Sequence, residues 1–184
     1  MDALKVLLER GSIRKYRALN VSDEVLQEIV EAGLYAPSGL NLQPWYFVVV
    51  RTPEKMTQVR AVMSVVALRF NPILQKQFHD HPEVITETNN FLVTLGGAPA
   101  CVLVYADKPY GAEGRDNVIE SISAAIENMQ LAAWNRGVGS CWIGAPNHVD
   151  CAGLFEAGFA AGRGEFVAAL TLGYPAEDPK PHKR

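Results

Sequence analysis

At 184 residues and a formal net charge of −3, the chain is long enough to bury one core. No linker or charge block divides it, so a single domain over residues 1–184 is expected. Acids and bases alternate without the basic excess that nucleic-acid binding requires, which excludes nucleic acid as an expected partner. No apolar run approaches the roughly 18–20 residues of a bilayer span. Met1-Asp2-Ala3-Leu4-Lys5 also lacks the order of a secretory signal, so no membrane partner and a cytoplasmic location are expected.

In chain order, Leu4, Leu7 and Leu8 fall at helical spacing, and Gly11-Ser12 stops that helix. Arg10, Ser12 and Arg14 then put two guanidinium groups and a hydroxyl in one short turn, a set suited to phosphate or another anion. A solvated basic turn would account for the same residues. Ser22 is an N-cap followed by Asp23 and Glu24, and Val25, Leu26, Ile29, Val30 and Leu34 make the apolar face of a helix ending before Pro37. Pro37-Ser38-Gly39 and Asn41 form a polar turn. The apolar, β-branched run at 46–50 reads as a buried strand, with another helix starting near Thr52-Pro53-Glu54.

Residues 69–90 lose this regularity, with Phe70, Phe78 and Phe91 scattered about polar positions, and read as a lid or an irregular helical excursion. A second buried strand is expected at 100–105 and a long amphipathic helix at 116–136, closed by Gly137 and Gly139. A short strand at 140–143, a short helix at 149–157 and a last strand at 166–172, ending in Gly173-Tyr174-Pro175, complete the chain.

Cys101, Cys141 and Cys151 cannot all pair within the chain and contain no Cys-x-x-Cys, so they read as structural thiols. His79 and His81 stand alone, and no metal is expected. Gly137-x-Gly139 follows a helix and enters a strand, the reverse of a dinucleotide fingerprint. Capping explains both glycines but leaves Ile143-Gly144 unused, and a glycine after a short strand permits close backbone approach to a planar ring. No Gly-x-Ser-x-Gly elbow surrounds Ser38, which gives a hydrolase little support.

Taken together, Arg10-x-Ser12-x-Arg14, Ala36-Pro37-Ser38-Gly39-x-Asn41-x-Gln43-Pro44-Trp45, residues 137–144 and Leu172-Gly173-Tyr174-Pro175 resemble the successive motifs of the nitroreductase family, small FMN-dependent NAD(P)H oxidoreductases. The resemblance spans nearly the whole chain and leaves 63–90 unmatched. It implies an α+β fold, a central mostly antiparallel mixed sheet wrapped by helices, and an intertwined homodimer with FMN at the subunit interface. It further implies that Arg10 and Ser12 hold the FMN phosphate with Lys183 and Arg184, and that Arg14 faces the pyrimidine edge. Pro37, Ser38, Gly39 and Asn41 would reach the cofactor from the other subunit, and Ile143 and Gly144 would back the ring near N5. Asn89 or Asn90 would reach the pyrimidine edge from the lid side.

The activity so implied passes hydride from NADH or NADPH through flavin N5 to a small planar acceptor such as a nitroaromatic or quinone, in ping-pong turnover. No side chain stands out as an essential acid or base. Relatives that dehalogenate reductively or fragment flavin with oxygen carry the same motifs, and a flavin-binding module without turnover is a further alternative.

Overall fold

The computed structural model describes residues 2–107 and 114–179. Four strands form one sheet in the order β1-β2-β4-β3: β1 (Trp45–Val50), β2 (Ala100–Ala106), β3 (Gly139–Ile143) and β4 (Glu165–Gly173). Each pairing of these strands is antiparallel, and the parallel element is the isolated bridge between Ser12 and Ser140. The central strands β2 and β4 are buried along nearly their whole length because helices cover both faces.

The two-residue period of β2 separates two cores. Cys101, Leu103 and Tyr105 pack on one face, under α3 (Pro53–Gln77), α4 (Pro82–Thr94) and α6 (Ala152–Phe159). Ala100, Val102, Val104 and Ala106 pack on the other, under α2 (Asp23–Leu34) and α5 (Arg115–Asn135). The short α1 (Ala3–Glu9) precedes these layers and contacts α5. Ser22 caps α2 and Thr52 caps α3 through their side chains, with Pro53 opening the latter.

One expectation needs correction. Residues 69–90 are regular: α3 runs through to Gln77 and α4 begins at Pro82. Buried Met56, Val59, Met63, Val66 and Leu74 keep one helical face inward past the interior Pro72, while the polar residues lie outward. The scattered phenylalanines therefore mark a helix junction, with Phe78 at the C-cap of α3. The final helix is displaced as well, to Ala152–Phe159, because residues 149 and 150 form a turn with Asp150 at a φ of 52°.

Candidate active site

The segment after α1 is laid against the sheet by its backbone. Ile13 N–H donates to Ser140 O, Tyr16 N–H to Gly96 O and Arg17 N–H to Tyr174 O, each at 2.9 Å. Ile13 and Tyr16 are buried, and the Tyr16 hydroxyl bonds to Ile13 O at 2.6 Å and to Thr171 Oγ1 at 2.8 Å. With these two residues pinned inward, Ser12, Arg14 and Lys15 line a cavity of about 550 Å³.

The facing wall is one stripe of α4, Glu87, Asn90, Phe91 and Thr94, at the i, i+3, i+4, i+7 spacing of a single helical face. Gly96, Glu177 and Asp178 close the remainder. The Arg14 guanidinium lies 5.9 Å from the centroid of the Phe91 ring, and the Arg14 N–H donates to Glu177 Oε1 at 2.7 Å. Two cations, an aromatic face, an amide and hydroxyls therefore share one cavity with three carboxylates, Glu87, Glu177 and Asp178, a mixed polar and aromatic lining able to orient a small ligand.

Of the residues singled out in the sequence, Ser12, Arg14 and Asn90 are brought to this cavity. Asn89 turns instead to α3, where its Nδ2 donates to Asn71 Oδ1 at 2.8 Å; its buried Oδ1 takes no hydrogen bond from the described residues. Arg10 caps α1 and pairs through Nε with Glu127 at 3.3 Å, leaving the two terminal nitrogens of its fork unused by that contact. Lys183 and Arg184 lie outside the described residues.

Pro37, Ser38, Gly39 and Asn41 lie elsewhere on the chain, outside this cavity. Gly39 N–H donates to Ser121 Oγ of α5 at 3.2 Å, and Ser38 Oγ accepts from Gln43 N–H at 3.0 Å. Leu40, Asn41 and Gln43 all carry positive φ, at 54°, 53° and 46°, and Leu40 is 95% exposed. A strained turn holding an exposed leucine outward is costly in an isolated chain. Ile143 is buried, and Gly144 follows it with open space where a side chain would stand.

Lys15, Glu87, Phe91, Thr94, Gly96, Glu177 and Asp178 also line the cavity without having been singled out as site residues. Recognising 82–94 as a helix would have found the α4 stripe, since its members recur at helical spacing. Gly96, Glu177 and Asp178 gave no local signal. Among the described residues no group of acidic, histidine or cysteine side chains is placed to hold a metal, and no helix is long and apolar enough to cross a membrane. All three cysteines are buried and unpaired; burial pushes the Cys101 thiol up to about 12, which leaves it a core group.

The family model for the nitroreductase family matches residues 7–174. A protein of Archaeoglobus fulgidus named "Putative NADH dehydrogenase/NAD(P)H nitroreductase" is 30% identical over 178 residues, 96% of this chain and 87% of that protein. A nitroreductase structure with bound FMN from Desulfitobacterium hafniense DCB-2 is 25% identical, with a TM-score of 0.78 over 100% of this chain and 95% of that one. An iodotyrosine deiodinase of Thermotoga neapolitana is 27% identical over 94% of this chain and 88% of that protein.

Proposed function

This chain belongs to the nitroreductase family, and from that premise we propose that it is an FMN-dependent oxidoreductase drawing on NADH or NADPH. Its acceptor is a small planar molecule such as a nitroaromatic or a quinone. The observation that carries the reading is the convergence of Ser12, Arg14 and Asn90 on one cavity of about 550 Å³, a volume suited to a small-molecule ligand. When bound, FMN supplies the two-electron carrier between nucleotide and acceptor, through its N5.

The residues present fit that group. Ser12 and the free side of the Arg10 fork are the phosphate donors, joined by Lys183 and Arg184. Arg14 would face the pyrimidine edge, where a guanidinium would stabilise the negative charge that reduction leaves. Asn90 is the amide partner of the same edge. Gly144 leaves room for a ring to lie against the backbone after Ile143.

The second half of the site comes from a second copy of the chain. The turn of Pro37, Ser38, Gly39 and Asn41 projects Leu40 away from its own core, and a homodimer gives that turn a surface to cover. No protein side chain is assigned as the proton donor, and solvent or the acceptor fills that role. Donor and acceptor would occupy the same cavity in turn.

Initial rates with NADH or NADPH and a nitroaromatic acceptor, varied together, test the reading. Parallel double-reciprocal lines are expected, whereas intersecting lines would rule out a shared site visited in turn. A second reading, reductive removal of halogen from a halogenated phenol, is favoured by the likeness to the Thermotoga neapolitana protein. It requires iodotyrosine to outcompete the nitroaromatic in kcat/KM.

A further inference from the structure

Three carboxylates line the cavity, Glu87, Glu177 and Asp178, and Glu177 is the one bonded to the segment that carries Ser12 and Arg14. Glu177 reaches it from the strap that follows β4, and Oε1 accepts the Arg14 N–H at 2.7 Å. The strap is fixed by its own backbone: Arg17 N–H donates to Tyr174 O, Ala176 N–H donates to Lys15 O, and Tyr16 bridges Pro175. Glu177 is therefore delivered to Arg14 by geometry and not by a chance rotamer of a loose tail.

Ser12, the hydroxyl assigned above to the phosphate, stands two residues before Arg14 and lines the same cavity as Glu177. The bond from Arg14 N–H to Glu177 therefore fixes a carboxylate on the short segment that also carries that hydroxyl.

We propose that Glu177 is a resident anion of the cofactor site that sets how tightly the site takes a phosphate-bearing ligand. Its carboxylate holds the Arg14 backbone N–H and places a negative charge in the cavity. A phosphate dianion taken up at Ser12, two residues before Arg14, meets repulsion from that carboxylate that a neutral side chain would not exert. Glu177 is thereby a specificity-determining residue, weakening phosphate-bearing flavin relative to flavin lacking phosphate. The proposal rests on the FMN reading.

The test is equilibrium binding of FMN and of riboflavin to the cofactor-stripped full chain and to its Glu177→Gln variant, at one ionic strength. Glutamine keeps an oxygen able to accept the Arg14 N–H, so only the charge is removed. FMN is expected to bind the variant tighter by roughly three- to tenfold, a Coulombic effect over several ångströms. Riboflavin should bind both within about twofold, because it lacks the phosphate. Inorganic phosphate should raise the Tm of the variant more than that of the parent.

Unchanged or weakened FMN binding in the variant would overturn the proposal, as would an equal gain for riboflavin, which would indicate a general change in the cavity. A parent chain that takes up neither flavin would overturn the FMN reading itself, and this proposal with it.

Discussion

Gly96 stands directly against the backbone of Arg14: a β-carbon built on Gly96 would lie 2.0 Å from the Arg14 carbonyl oxygen. Gly96 also has φ +63° and accepts the Tyr16 N–H at 2.9 Å, so the turn after α4 and the segment bearing Arg14 are seated on each other. Gly96→Ala should destabilise the fold by about 2 kcal/mol or more, since both the backbone angle and the contact oppose a side chain. Urea unfolding measures the loss, and an unchanged midpoint would mean that the two segments are not in contact.

Arg14→Gln removes the guanidinium from beside Phe91 while leaving the N–H that bonds Glu177. The bound flavin should become harder to reduce, with a midpoint potential lower by tens of millivolts, because negative charge at the pyrimidine edge loses its counterion. A potentiometric titration reads this directly. A potential equal to that of the parent would sink the assignment of Arg14 to that edge.

Paired inactivation tests the second copy. Arg14→Gln and Asn41→Ala should each be impaired alone, yet co-expressed chains should regain up to about a quarter of parental activity, because half of the dimers carry one intact site of two. In such a mixed dimer one site receives both substitutions and the other receives neither. Absence of recovery, with mixed dimers demonstrated by sedimentation and mass, would place both residues in one chain's site.

Alkaline pH should weaken the fold. Burial pushes the Cys101 thiol up to about 12 and also raises the Tyr16 and Tyr105 phenols. Unfolding returns these groups to ordinary values, about 8.5 for a thiol and about 10 for a phenol. Below those values both states are protonated and the contribution is constant. Above them the unfolded chain releases protons that the folded chain retains, so stability falls as pH rises. Each group should steepen the decline by about 1.4 kcal/mol per pH unit within its window. Cys101→Ala should delay the onset, as read by urea midpoints from about pH 8 to about pH 11. A flat profile over that range would contradict the burial of these groups.

Local chemistry made much of the fold legible. Ser22 with its acidic first turn, the β-branched run before Val50 and the Gly137 break after α5 each stand where helix caps, strand periodicity and glycine turns put them. The α3–α4 region was not legible, because Pro72 inside a helix and three scattered phenylalanines imitate irregular structure. Tertiary burial of Met63, Val66 and Leu74 overrides that local signal.

The site divides in the same way. Arg10, Ser12 and Arg14 fall within five residues, a set suited to an anion that composition alone does not separate from a solvated basic turn. Glu177 reaches Arg14 across 163 positions of sequence, and Gly96 touches it from the far side of α4, so neither leaves a local pattern. Such partners emerge only when β4 returns the chain to the segment after α1.

The most direct test of the central claim is the visible spectrum of the purified protein supplied with FMN, recorded anaerobically before and after NADH and then NADPH. Bound flavin absorbance that bleaches with one or both nucleotides, and returns on adding a nitroaromatic or a quinone, is the predicted result. A protein that takes up no FMN, or holds FMN that neither nucleotide can bleach, would contradict the account.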